Sequence, residues 1–139
     1  MCFMVNILSS EQSSKHFKMK IVNLITGLDT QATLNLDNIF AKYSDTCTYK
    51  PLKFPGSCMR FSKPNATLLV FKSGKIICTG INCISNAKYS FEKFLKLCNL
   101  SIDLSENVKI HNYVGCGSMS HRINLKKLYT NYKLDCFFE

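Results

Sequence analysis

The sequence predicts an α+β protein whose antiparallel sheet is covered by helices on one face. Three observations indicate this fold: strand patterns between residues 47 and 80, an amphipathic helix near residues 87–98, and an internal repeat at an offset of 89 residues. The chain has 139 residues, of which 46% are hydrophobic, so it can bury one core of ordinary size.

The first part of the chain is predicted to contain a tail, a strand and a short helix. Residues 1–18 are polar and rich in serine without sustained periodicity, which is typical of a loosely ordered tail. Lys20–Thr26 carries the apolar residues of a strand. A helix is predicted next, because apolar residues recur at helical spacing at Leu36, Ile39, Phe40 and Tyr43.

The middle of the chain is predicted to form an antiparallel meander of four strands. These strands are expected at residues 47–51, 57–62, 66–73 and 75–80, with turn residues between them. Ser73-Gly74 predicts a tight hairpin between the last two.

The predicted hairpin is apolar on both faces. Side chains alternate across a strand, so one face is expected to carry Leu69, Phe71, Ser73, Lys75, Ile77 and Thr79. The helices can cover only one face. The other is therefore expected to be an interaction surface, unless a second sheet or a second copy covers it.

A long helix is predicted after the meander. Ser85 is its expected N-cap, and Glu92 and Lys96 are expected to pair on its wet side. The apolar stripe of this helix consists of Ala87, Phe91, Phe94, Leu95 and Cys98.

Positive charge is concentrated on the meander. The chain has 18 Lys plus Arg against 9 Asp plus Glu. Seven basic residues and no acid lie between Asp45 and Glu92. Lysine predominates, which suits diffuse attraction to phosphates better than the reading of bases. This window is either a nucleic-acid surface or a solvated face.

The composition argues against several other classes of protein. The eight cysteines have no C-x2-C spacing and are predicted to be core thiols, and His111, Cys116 and His121 are not predicted to hold a metal. No cofactor is expected. The acids are dispersed and the histidines lack an orienting partner, so no enzyme is predicted. No apolar stretch reaches the roughly 20 residues of a membrane span, and the first residues lack a secretion leader.

The internal repeat divides the chain. Residues 109–132 match residues 20–43, which predicts a first repeat at 19–100 and a partial second repeat, with a strand, a helix and the start of another strand, at 101–139. A complete second copy would run about fifty residues beyond Glu139, since Leu100 plus the offset of 89 gives position 189. The identical pairs are Lys20 and Lys109, Ile21 and Ile110, Asn23 and Asn112, Asn35 and Asn124, Leu36 and Leu125, and Tyr43 and Tyr132.

Residues 54–64 (FPGSCMRFSKP) and 68–80 (LLVFKSGKIICTG) resemble the TATA-box-binding protein family. Residues 109–116 (KIHNYVGC) are similar to the family's KIQNIVGS at the equivalent place. The resemblance covers residues 20–139. It implies a half saddle, which is a curved antiparallel sheet with helices on the convex face, followed by the start of a second repeat.

The resemblance also implies the DNA contacts of the concave face. Asn23 and Asn112 match asparagines that bond to minor-groove acceptors shared by A·T and T·A pairs. Phe54 and Phe71 match a pair that wedges into a base step and kinks the duplex, a mechanism for which this family is the standard example. The groove floor is matched by Ile25, Leu69, Ile77, Thr79 and Val114. The phosphate-contacting positions are matched by Lys53, Arg60, Ser73 and Lys75.

Each of these residues also has a simpler interpretation. Phe54 and Phe71 would ordinarily be core aromatics. Asn23 could satisfy a backbone group at a turn or edge. Lys53 and Lys75 could be solubilising charges.

The function implied by the resemblance is that of a general transcription initiation factor that recognises A·T-rich promoter DNA. Its expected partners are other general transcription factors and RNA polymerase. The loop to which transcription factor IIB binds in the family would lie beyond Glu139. The expected location is the nucleus, or the intracellular site of viral transcription for a viral source. The alternative is a non-catalytic interaction module derived from that fold, with weakened or lost promoter binding, that forms homo-oligomers through an open sheet edge and an uncovered apolar face.

Overall fold

A single antiparallel sheet of six strands organises the protein. The computed structural model describes residues 17–119 and 122–132. The strand order across the sheet is β2-β3-β4-β5-β1-β6. The elements in chain order are β1 (Phe17–Asp29), α1 (Leu36–Lys42), β2 (Cys47–Tyr49), β3 (Ser57–Ser62), β4 (Asn65–Val70), β5 (Lys75–Ile81), α2 (Ile84–Leu97), α3 (Leu104–Asn107), β6 (Lys109–Met119) and α4 (Leu125–Asn131).

Most of these elements confirm the predicted order, with some differences in length. β3 has the predicted bounds. β1 begins at Phe17, two residues inside the predicted tail, because it pairs with β6 as far as Phe17. Residues 1–16, which make up the rest of that tail, lie outside the described residues, as does the strand expected within residues 133–139. The short helix α3 was not predicted, and Asp103 caps it by accepting a hydrogen bond from the Ser105 backbone N–H at 2.8 Å.

The core lies between the sheet and α2. Phe91 and Phe94 of α2 are completely buried, and so are Met59, Leu68 and Val70 of the sheet. Cys78 lies in the same core, where burial raises the pKa of its thiol to about 11. The prediction of core thiols is confirmed for Cys47 and Cys78, whereas Cys58, Cys83, Cys98 and Cys116 are only partly buried. None of the helices in residues 17–119 and 122–132 is long and apolar enough to cross a membrane.

The start of α2 differs from the prediction. Ser85 is the predicted N-cap, but the helix begins at Ile84 and Cys83, two residues earlier than Ser85, occupies the N-cap position. The Ser85 hydroxyl lies 3.3 Å from the Cys83 sulfur instead of capping a backbone N–H. The predicted pair on the wet side of the helix is confirmed, since Lys96 Nζ lies 2.7 Å from Glu92 Oε1.

The hairpin between β4 and β5 holds the connection between β1 and α1. The turn is closed by a hydrogen bond from the Phe71 N–H to the Lys75 carbonyl at 2.9 Å. The backbone N–H and the hydroxyl of Thr30 both donate to the Gly74 carbonyl at 3.0 Å, and the Leu34 N–H donates to the Lys72 carbonyl at 2.9 Å. The entry to α1 is therefore fixed by the hairpin.

Strands β1 and β6 pair about an approximate two-fold axis. Leu24 lies opposite Tyr113, which is its own equivalent at the offset of 89 residues. The neighbouring pairs, Asn23 with Val114 and Ile25 with Asn112, exchange equivalent residues. The repeat detected in the sequence is therefore also a symmetry of the strand pairing.

The two bulges of this pairing follow the same symmetry. The register skips Val22 on β1 and His111 on β6. These two residues are also separated by 89 positions. A bulge turns the extra side chain away from regular alternation, so period-two patterns do not predict its direction.

The packing of α2 predicts a large difference between two aromatic substitutions on the same helix. Phe91→Ala is expected to lower the free energy of unfolding by about 3–5 kcal/mol, because it leaves a cavity in the core. Tyr89→Ala is expected to change it by less than about 0.5 kcal/mol, because Tyr89 is 55% exposed. Urea unfolding followed by circular dichroism measures both. Equal losses for the two variants would contradict this placement of α2.

Candidate nucleic-acid interface

The face of the sheet opposite α2 forms a continuous surface, called the open face below. Burial alternates along the strands: in β4, Leu68 and Val70 are buried beneath the helix while Leu69 is only partly buried. β3 and β5 show the same alternation. Predicted site residues on strands of the open face are Asn23, Ile25, Arg60, Leu69, Lys75, Ile77, Thr79, Asn112 and Val114.

Strand register brings the apolar members of this set together. Leu69 lies opposite Ile77 between β4 and β5. Ile25 lies opposite Asn112, and Val114 lies opposite Asn23, between β1 and β6. The centre of the open face is therefore an apolar floor that contains two asparagines.

Asn23 has a defined amide orientation. Its Oδ1 accepts the backbone N–H of Gly80 at 3.0 Å and lies 3.4 Å from the Thr79 hydroxyl. An N–H can only donate, so the carbonyl oxygen must face Gly80 and the NH2 group must face away. Gly80 has a φ of +81°, in the left-handed region that favours glycine. Asn23 therefore satisfies a backbone group, although in the interior strand β5 and not at a turn or edge, and its NH2 group is directed away from Gly80.

Phe54 and Phe71 pack against each other at the margin of the sheet. Their ring centroids are 5.7 Å apart with an interplanar angle of 64°, an edge-to-face contact. Phe54 is 38% exposed and Phe71 is half-buried, so neither belongs to the core. Gly56 leaves room for the pair, because an added Cβ would lie 2.8 Å from Phe54 Cε1 and 3.2 Å from Phe71 Cε1.

The remaining predicted residues lie in turns beside this pair. Ser73 belongs to the β4–β5 hairpin. Lys53 precedes Phe54 in the loop before β3, where both backbone N–H groups donate to the Lys50 carbonyl. Among the described residues, no carboxylate lies within 4 Å of the cationic groups of Lys53, Arg60 or Lys75. These charges are therefore available to an external anion.

Several residues of the open face were not predicted. Thr67 lies two residues from Leu69 in β4, and Cys58 lies two residues from Arg60 in β3, so each shares a face with a predicted residue. Strand periodicity could therefore have identified them. His111 could not be identified in this way, because it occupies the bulge of β6. An added Cβ at Gly27 would collide with the His111 imidazole, so the ring lies over Gly27 on the open face.

His111 lines a cleft of about 710 Å³ at one end of the open face, together with Phe71, Ser73 and Lys75. No group of three or more His, Cys, Asp or Glu that could hold a metal occurs within residues 17–119 and 122–132. His121, which together with His111 and Cys116 is not predicted to hold a metal, lies outside the described residues.

The family model described as "Transcription factor TFIID (or TATA-binding protein, TBP)" matches residues 18–99. The chain belongs to the TATA-box-binding protein family. It is 31% identical to a TATA-box-binding protein of Archaeoglobus fulgidus over 81% of the chain and 62% of the relative. It is 32% identical to TATA-box-binding protein 2 of Entamoeba histolytica over 86% of the chain and 57% of the relative.

A solved structure agrees with the fold. The Methanococcus jannaschii TBP matches with a TM-score of 0.69 at 29% identity, over 81% of this chain and 65% of that one. The TATA-box-binding protein fold, a curved antiparallel sheet with helices on one face, is thereby confirmed. The chain spans about 60% of the length of these relatives, and within residues 101–139, the predicted partial second repeat, the structure describes α3, β6 and α4.

Proposed function

We propose that the open face binds the minor groove of A·T-rich duplex DNA and that the protein acts in transcription initiation. The observation that carries the proposal is the composition of this face: an apolar floor with two asparagines, bordered by an aromatic pair and by cations without carboxylate partners. Family membership supports the same function, because the relatives are named for binding the TATA box.

The amide of Asn23 supplies the polar recognition. Its Oδ1 is held by Gly80, so its NH2 group is the part left to donate to a ligand. In the minor groove, A·T and T·A pairs both present only the acceptors adenine N3 and thymine O2. A donor therefore bonds to either pair without distinguishing their order. Asn112, the equivalent residue in β6, would do the same on the other half of the surface.

The apolar floor supplies the discrimination against G·C pairs. Leu69 and Ile77 have no acceptor for the guanine N2 amino group, which projects into the minor groove. Burying that donor against them without a partner would cost about 1–3 kcal/mol. We propose that Ile25, Thr79 and Val114 extend this floor, and that Lys53, Arg60, Ser73 and Lys75 bind phosphates.

The aromatic pair is assigned to deformation of the duplex. Phe54 and Phe71 already contact each other at the margin of the sheet, so two flat apolar side chains can enter one base step together. Unstacking a step costs a few kcal/mol and is offset by the larger surface that a bent duplex places against the protein.

The biological setting proposed is that of the family. The protein would act without catalysis, together with other transcription factors and RNA polymerase, wherever the chromosomal DNA of its source is transcribed, which in a eukaryote is the nucleus.

A second candidate function is self-association through β6. This strand is at the end of the sheet and pairs only with β1 among the described strands. Ile110 and Tyr113 of β6, and Met19 of β1, are 38–45% exposed. An open edge beside exposed apolar side chains favours pairing with another chain.

The groove proposal predicts a preference that follows the guanine amino group. Duplexes of A·T pairs and of inosine·cytosine pairs, which lack that group, should bind alike, and G·C duplexes should bind at least about fivefold more weakly. Fluorescence anisotropy with the wild-type chain measures the affinity for all three duplexes.

The proposed phosphate contacts predict a change in salt dependence in the same assay. Arg60→Gln with Lys75→Gln should reduce the slope of log K against log salt by about 1.8, since each phosphate contact contributes about 0.9. Lys93→Gln, on the helix side of the sheet, is the control and should leave the slope unchanged.

The aromatic pair can be tested by bending. Phe54→Ala with Phe71→Ala should abolish bending of an A·T duplex in a fluorescence energy transfer assay and weaken binding at least about tenfold, because each aromatic contact with a base contributes about 1–3 kcal/mol. Phe40→Ala is the matched control, since Phe40 of α1 is 37% exposed against 38% for Phe54. Full bending by the double variant would remove these phenylalanines from the mechanism.

Self-association is tested separately by size-exclusion chromatography with light scattering. A dimer at micromolar concentration that Tyr113→Lys converts to a monomer supports association through β6, because the charge would be buried in the contact. A monomeric wild type at that concentration rules this candidate out.

A further inference from the structure

His111 is placed on the open face by a feature of the backbone that its neighbours do not share. The bulge in β6 removes it from the regular pairing with β1. Its imidazole covers Gly27, which is buried although it faces the open side of the sheet. Gly27 lies opposite Ile77, a residue of the proposed groove floor. The ring therefore extends the proposed DNA surface toward one end of the sheet.

The cleft that His111 lines carries more basic than acidic side chains. Lys75 of β5, Lys109 of β6 and Ser73 of the hairpin line the same cleft. Asp29 of β1 is the one acidic residue among the described residues that line it. Asp29 has no ion pair within 4 Å among the described residues, so the two ammonium groups are not neutralised by direct contact.

We propose that His111 is a DNA-backbone contact whose strength depends on its protonation, an inference that rests on the proposed function. Histidine changes charge between pH 5 and 8, and the imidazolium donates from both ring nitrogens. A phosphate bound by Lys75 and Ser73 would occupy the cleft that His111 also lines. Binding of the phosphate would then favour the charged ring, and protonation of the ring would strengthen DNA binding.

The contact would exist on only one half of the surface. The equivalent residue in the other bulge is Val22, which has no titratable group. The approximate symmetry of β1 and β6 is therefore broken chemically at the two positions that leave the regular pairing.

The experiment compares the wild type with His111→Gln on an A·T duplex at pH 8.0 and pH 5.5. At pH 5.5 the wild type should show a slope of log K against log salt that is steeper by about 0.9, which corresponds to one additional neutralised phosphate. Its affinity should rise by about two- to fivefold, as expected for one exposed ion pair. His111→Gln retains Asp29, Lys75 and Lys109, so a pH response that came from those groups would persist in it.

Two further variants identify the source of the response. His16→Gln with His121→Gln removes the other two histidines and should leave the response intact. Gly27→Ala keeps His111 but adds the Cβ that would displace the ring, and it should remove most of the response. Circular dichroism at both pH values checks that each variant is folded.

The possible outcomes separate this inference from the proposed function. If wild type and His111→Gln respond equally to pH, or Gly27→Ala keeps the full response, the contact is wrong while the preference for A·T pairs still stands. If the wild type binds no duplex at either pH, both the proposed function and the contact are overturned.

Discussion

Strand β1 is hydrogen-bonded along both of its edges, and both faces of the protein depend on this constraint. Pairing with β5 and β6 fixes the direction of every side chain between Asn23 and Leu28. Leu24, Thr26 and Leu28 are thereby buried on the helix side, while Asn23 and Ile25 are turned toward the open face. A shift of one residue in this register would exchange the two sets and would destroy the core and the candidate interface together.

Two backbone irregularities in the sheet place polar side chains at defined positions on the open face. Gly80 leaves regular strand geometry and directs its N–H to Asn23, which orients the amide. The bulge at His111 brings an imidazole over Gly27. A perfectly regular sheet would offer a floor of alternating side chains, whereas this one offers oriented donors at defined points. The specificity proposed here therefore depends on departures from the ladder as much as on the strands.

The sequence predicted the elements whose signals are local. Alternation and turn residues located β3 with its observed bounds, and the apolar stripe of α2 identified the residues that fill the core. Tertiary effects were not predictable in the same way. Ser85 fits the composition of an N-cap, but the backbone places Cys83 there. The resemblance supplied the list of open-face residues, but the orientation of the Asn23 amide and the position of His111 depend on contacts between residues more than fifty positions apart.

The collision between an added Cβ at Gly27 and the imidazole of His111 makes the two positions a single unit of variation, although 84 residues separate them in the chain. A relative that carries a side chain at the first position has to direct the residue at the second position elsewhere, and a large residue at the second position requires the first to stay small. Substitutions at these two positions should therefore covary among relatives, and a change in size at one position alone should be rare. Strand pairing therefore couples the side chains that can be accommodated at two positions far apart in the chain.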